Sequence, residues 1–253
     1  MSLVDIGTLP LQGVVPLVLH RIVRDTPVFW EDVQEKRLQA IIAHIGQYWA
    51  VFSNHGVMNR ARWMLTFDDG SASDYEIVFP LLCEAGISAT FFVVTNHIGK
   101  KGYLNWAQIK EMHRHGMCIG SHSVSHRRLT KLDDEQVMEE FEYSKRMIEE
   151  RICDEVLAFS YPFGTCDSRL HAIGFSAGYS YLCTSAHGVV SPGARILPRN
   201  SVHSAMDMKA IVRLMEPTVG TRFCWRAEEI LKLGTKRLIG EERYRRLRDS
   251  VLL

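Results

Sequence analysis

Residues 63–70 read Trp63-Met64-Leu65-Thr66-Phe67-Asp68-Asp69-Gly70, an apolar run that ends in two carboxylates and a glycine. A short run of this kind, bounded by turn formers, predicts a strand buried on both faces, as in parallel sheets. Outward from it the same alternation recurs. Residues 14–19 predict a strand and 29–45 a helix. After the central strand come a helix over 74–85 closed by Gly86, a strand over 88–94 and a helix over 106–115 stopped by Gly116. A strand over 117–120, a long amphipathic helix over 133–151 and a strand over 156–161 follow. A short helix over 168–173, ended by Gly174, and strands over 179–184 and 195–200 complete the pattern. Strands alternating with helices predict an α/β fold with a largely parallel sheet, an open doubly wound sheet or a barrel. In both, reactive groups gather at the carboxyl ends of the strands. Asp68-Asp69-Gly70, His122 and Pro162-Phe163-Gly164 each follow a predicted strand.

The chain has 253 residues, 46% hydrophobic and 23% charged, with a formal net charge of +1. No long-range field points to nucleic acid or to an acidic partner. No repeat or low-complexity linker divides it, so it reads as a single domain over 1–253, with a core of about 15–200 and a C-terminal helical tail of about 206–253. Six scattered cysteines without a C-x-x-C pair read as reduced, mostly buried thiols. The N-terminus carries Asp5 and Pro10 where a signal peptide is apolar, and nothing approaches a membrane span. The reading is cytoplasmic. The tail over 232–249, with seven Lys/Arg against three Asp/Glu, is either packed on the domain or a weak contact with the inner membrane face.

Two adjacent carboxylates after an apolar strand raise each other's pKa. A divalent cation on one relieves this and leaves the other as a base. His122 and His126, in Ser121-His122-Ser123-Val124-Ser125-His126, are four apart, so one helical turn would bring both rings to one metal. Ser123 stands where a metalloprotease helix has its glutamate, so the base must come from elsewhere. One Asp and two His give a catalytic zinc site with a position left for water, and the same set suits Co, Mn, Ni or Fe.

Taken in order, Thr66-Phe67-Asp68-Asp69-Gly70, His122-Ser123-x-x-His126 and Tyr161-Pro162-Phe163-Gly164 resemble the polysaccharide deacetylase family, the NodB-homology domain of carbohydrate esterase family 4. The resemblance runs from about residue 15 to 199. It implies a distorted (β/α) barrel and a metal-dependent hydrolase that removes N-acetyl groups from an amino sugar. It also implies Asp68 as general base and Asp69, His122 and His126 as metal ligands; amide hydrolysis further needs an oxyanion stabilised, and a backbone N–H in the Tyr161–Gly164 turn would share it with the metal.

Two departures stand out. Ser160 occupies the stretch where many members have an arginine beside the base, and no late Leu-x-His supplies an acid. The chain instead resembles a branch marked by an early element, here Leu19-His20-Arg21-Ile22, and a late Leu197-Pro198-Arg199. In that branch His20 serves as the acid and Arg199 stands beside Asp68, with His203 a weaker acid candidate. His97, His113, His115 and His171 read as surface or structural. The implied substrate is an N-acetylated sugar in a polysaccharide, oligosaccharide or lipid- or nucleotide-linked precursor, in cell-surface polysaccharide or O-antigen assembly. The alternatives are a hydrolase of allantoin-like or cyclic imide substrates on the same scaffold, and a non-catalytic glycan-binding module. A non-haem iron oxygenase has the same ligand types but no use for Asp68.

Overall fold

The computed structural model describes residues 13–52 and 62–239. Its strands are β1 (Val15–Leu19), β2 (Arg21–Val23), β3 (Asp32–Gln34), β4 (Trp49–Ala50), β5 (Trp63–Phe67), β6 (Thr90–Val93), β7 (Cys118–Ser121), β8 (Ala158–Ser160), β9 (Tyr181–Cys183), β10 (Ile196–Leu197) and β11 (Asn200–Ser201). The helices are α1 (Glu35–Ile45), α2 (Phe79–Ala85), α3 (Trp106–Arg114), α4 (Asp134–Ile152), α5 (Ser168–Ser176), α6 (Met208–Met215) and α7 (Val219–Ile239).

Nine strands form one sheet in the order β10-β9-β8-β7-β6-β5-β1-β11, with β4 beside β5, and every ladder in it is parallel. The central strand β5 is buried at all five positions, as its apolar run requires. The end strands β10 and β11 belong to one chain segment, separated only by Pro198 and Arg199. The Thr184 N–H donates to Leu197 O at 2.9 Å on one edge, and the Val202 N–H to Val18 O at 3.0 Å on the other. A two-residue step cannot span a flat sheet of eight strands, so the sheet must curl until its edges meet. The result is the distorted (β/α) barrel.

Packing explains where the sequence pattern misplaces elements. The helix expected from residue 29 begins at Glu35, because the Asp32 carboxylate takes the N–H groups of Val28 and Phe29, at 2.8 Å each, and Arg21. Residues 74–85 form a helix closed by Gly86 in a left-handed conformation, but its first turn, Asp74–Val78, is π-helical. The helix expected to stop at Gly174 runs on to Ser176. A Cβ there would lie 3.0 Å from both Leu182 and Phe141, so this glycine serves close packing and ends nothing. The single strand expected over 195–200 is two strands on opposite edges. Of the six cysteines only Cys183 is buried, while Cys83, Cys153 and Cys224 are exposed, and no disulfide joins any of the six. No described helix is long and apolar enough to cross a membrane. The tail expected over 206–253 holds α6 and α7; its last part, 240–253, lies outside the described residues, as do 1–12.

Candidate active site

The carboxyl ends of β1, β5, β7 and β8 open on one region, and there His20, Asp68, His122 and Tyr161 begin the loops. Asp68 continues β5, its N–H donating to Leu19 O at 3.0 Å, and it is 3% exposed. Arg199, fully buried, reaches it from the seam between β10 and β11. Its Nη1 and Nη2 donate to Asp68 Oδ1 and Oδ2, both at 2.7 Å. The other guanidinium protons go to Thr184 O, Thr66 Oγ1 and Ser160 Oγ, at 3.2, 3.2 and 2.7 Å. All five donors of the fork are used. The Ser160 hydroxyl in turn donates to Asp68 Oδ2 at 2.9 Å. Burial pushes the Asp68 carboxyl up, but the charges of Arg199 and His122 and the arginine hydrogen bonds outweigh it and hold the pKa down at about 2.

Asp69 is the opposite case. Its φ of 73° turns the side chain away from its neighbour, and it stays 35% exposed. Gly70 at φ 68° completes the turn, where a Cβ would meet Val93 at 3.2 Å. Asp69 Oδ1 lies 3.4 Å from His122 Nε2 and 3.3 Å from His126 Nε2. These separations are long for hydrogen bonds. They match ligands around a common centre, since tetrahedral donors ~2.1 Å from a metal stand ~3.4 Å apart. One ligand atom from each of the three residues falls within 4.8 Å of the others. The His122 Nδ1–H donates to Ser160 O at 2.8 Å, which fixes the tautomer and turns the Nε2 lone pair into the pocket. Burial alone lowers the His122 pKa, but Asp68 and Asp69 raise it above its ordinary value. Burial raises the Asp69 carboxyl, and the two imidazoles more than reverse this. The residues present therefore fit a divalent cation.

The two histidines do not converge as a helical turn. His122 directly follows β7, and residues 123–126 form an irregular loop in which Ser123 and His126 have φ of 70° and 57°. The charge of His20 reaches both carboxylates and contributes to lowering both pKa values; among the described residues its buried Nδ1 has no hydrogen-bond partner. His203 stacks on Trp30 with ring centroids 3.8 Å apart, and burial and His187 lower its pKa.

The four residues of the turn after β8 divide. Tyr161 is buried among Phe141, Phe159 and His171, its hydroxyl 2.9 Å from His171 Nδ1, so this side chain is core. Phe163, at φ 60° and 53% exposed, packs its ring 4.7 Å from His126. The Tyr161 N–H donates to Cys183 O, the Gly164 N–H to Tyr161 O, and Pro162 has none. Among the described residues nothing accepts from the Phe163 N–H.

Sequence reasoning set His97 aside, yet its ring stands 6.3 Å from that of His126. Asp74 was read only as part of a helix. It is fully buried, no described residue makes a close hydrogen bond to either oxygen, and burial with the charges of Asp69 and Asp68 outweighs the Ser71 backbone and pushes its carboxyl well above the usual range. The burial of such a residue leaves no trace in a sequence pattern.

A family model described as polysaccharide deacetylase matches residues 55–182, just over half of the chain. The chain belongs to the polysaccharide deacetylase family. The matched window holds Asp68, Asp69, His122, His126 and the turn after β8; His20 and Arg199 lie outside it. YxkH of Bacillus subtilis is 32% identical over 155 residues, 60% of this chain and 56% of that protein. Chitin deacetylase 1 of Cryptococcus neoformans is 29% identical over 116 residues, 46% of this chain and 24% of that protein. The chain thus spans about half, or less, of the length of these curated relatives. In fold it is similar to the Streptococcus pyogenes deacetylase PplD, solved with acetate. The TM-score is 0.73 at 22% identity, covering 81% of this chain and 99% of that one.

Proposed function

We propose that the protein is a metal-dependent N-deacetylase of an N-acetylated amino sugar, within a polysaccharide, an oligosaccharide or a lipid- or nucleotide-linked precursor. The observation that carries this is a three-ligand pocket directly beside a buried, ionised Asp68 that is not needed as a ligand. Family membership supports the reaction class, and the names of the curated relatives support an acetylated glycan. His20 and Arg199 support the branch marked by residues 19–22 and 197–199.

Asp69, His122 and His126 would hold the cation, with zinc the first choice and Co, Mn, Ni or Fe as alternatives. Such a cation supplies Lewis acidity, lowering the pKa of water to ~7 and drawing charge from a carbonyl oxygen. Asp68 is the base. Arg199 and Ser160 fill both lone pairs of its Oδ2, whereas among the described residues Oδ1 receives only Arg199 Nη1 and keeps one acceptor position. A proton therefore arrives at Oδ1. The Phe163 N–H donates to the developing oxyanion, a contribution of ~3 kcal/mol. His20 protonates the departing amine through Nε2, since its Nδ1 is the buried nitrogen. We place the enzyme in cell-surface polysaccharide or O-antigen assembly, in the cytoplasm.

The test is acetate release from a panel of N-acetylated sugars and their polymer and nucleotide-linked forms, with metal-free and Zn-, Co- and Mn-loaded protein. Asp68→Asn should bind metal and lose nearly all turnover; His20→Ala should lower kcat with KM largely kept. Silence across the panel with metal bound would move the assignment to allantoin-like or cyclic imide substrates, and then to glycan binding.

A further inference from the structure

Glu140, on α4, is 3% exposed, and its carboxylate is filled by four donors. Oε2 accepts the backbone N–H groups of Val124 and Ser125 at 2.8 and 2.9 Å. Oε1 accepts Arg127 Nη2 at 3.1 Å and also the Ser125 hydroxyl. Two lone pairs on each oxygen are thereby used. Burial pushes this carboxyl up, but the hydrogen bonds from Ser125, Arg127 and Val124 hold it below its ordinary value, so it stays ionised.

Three of the four donors belong to the stretch between the two histidines, and the fourth comes from the residue just after His126. That stretch needs holding. Ser123 and His126 occupy left-handed backbone conformations, which cost a non-glycine residue ~1 kcal/mol or more each. The loop carbonyls are held from the side of β6, where the Thr95 and Asn96 N–H groups donate to Ser123 O and Val124 O at 3.2 and 3.0 Å. Its amides are held by Glu140, with Ser121 Oγ and Ser123 Oγ taking the Ser123 and His126 N–H groups. The two imidazoles depend on this loop unequally. His122 is fixed by the end of β7 and by its own bond to Ser160 O. Among the described residues no group bonds His126 Nδ1, so the backbone, with the Phe163 ring packed 4.7 Å from it, aims that ring.

We propose that Glu140 is a positioning residue for the metal centre, clamping residues 124–127 in the turn that directs His126 Nε2 at Asp69. The inference rests on the metal-site reading above, and its test separates the two. Zinc affinity would be measured by competition with a chromophoric chelator for the wild-type protein, Glu140→Gln and Ser125→Ala, below the unfolding temperature of each metal-free form. Glu140→Gln keeps the size but loses the charge and an acceptor oxygen, and should weaken zinc binding by about 10- to 100-fold. Ser125→Ala removes one donor to Glu140 and the acceptor of Arg127 Nε, leaves the fold intact and should weaken it by about 2- to 10-fold. Cobalt-loaded Glu140→Gln should show a shifted visible spectrum, and excess metal should restore whatever activity it loses. Affinities within about twofold of wild type in both variants overturn the proposal, even if Glu140→Gln melts earlier, because the role is then only structural. A wild-type protein that binds neither zinc nor cobalt overturns the metal reading itself, and this inference with it.

Discussion

Asp68 and Asp69 are adjacent in the chain and opposite in condition. Asp68 is buried and held: a bidentate arginine and a serine hydroxyl fill three of its four acceptor positions without any metal. Asp69 is partly exposed and incomplete, its nearest partners two imidazole nitrogens at 3.3 and 3.4 Å that bond it poorly and frame a space for a cation. One peptide unit, with φ of 73° at Asp69, separates the two environments. The contrast teaches how a fold divides labour between like residues. The carboxylate held by the protein's own donors keeps its charge in a fixed place, as the proposed base requires, and the one left short of partners keeps an open side toward the two imidazoles, as the proposed metal ligand requires.

The comparison can be broken at several points. The largest effect should come from Arg199→Met, which strands the Asp68 carboxylate in the interior and should cost ~3–5 kcal/mol in urea denaturation. A loss under about 1 kcal/mol would mean that Asp68 does not depend on the seam arginine. Asp69→Asn should behave the other way. Metal-free stability should fall by only ~1 kcal/mol, because the imidazoles that lower the Asp69 pKa act on a carboxylate partly open to solvent, while zinc affinity falls by more than about 100-fold, beyond an outer-shell change. Equal destabilisation by Asp69→Asn and Arg199→Met would erase the distinction. Ser160→Ala sharpens it, because this hydroxyl joins Arg199 to Asp68. The variant should lose ~1–2 kcal/mol of stability and keep its zinc affinity, since His122 is held by the Ser160 carbonyl and not by its side chain.

The smallest effect lies away from the pocket, at Asp32, another buried carboxylate, which accepts from Arg21, Val28 and Phe29. Burial raises its pKa, and the bonds from Arg21, Phe29 and Val28 bring it below its ordinary value. A depressed folded pKa stabilises above the unfolded value, and that stabilisation is lost as pH falls through the folded one. Asp32→Asn should therefore cost ~1 kcal/mol at pH 7, and the gap from wild type should close below about pH 4. A gap that persists at pH 2 would assign the effect to packing.

Much of this molecule was legible in the sequence. The apolar runs predicted the strands because burial on both faces of a parallel sheet requires them. The loaded residues after β5, β7 and β8 stood out because carboxylates and imidazoles are costly at such positions without a use. The His122–His126 spacing pointed to the right pair for the wrong reason, since the two meet through left-handed loop residues and not through a helical turn. Glu140 and Asp74 carried no signal, because hydrogen bonding and burial of a lone polar residue leave no periodicity, and Ser160 showed only as the place of a missing arginine, not as the hydroxyl that joins Arg199 to Asp68.

The sequence by itself determined the strand–helix alternation, the chemical types at the strand tips and the family, all of which are written in windows of a few residues. The tertiary structure alone decided the splitting of residues 195–200 across two sheet edges, and with it the delivery of Arg199 to Asp68 over 131 residues of chain. Curling is a property of the whole sheet. No local pattern encodes where its edges meet, and the geometry of the proposed base depends on that meeting.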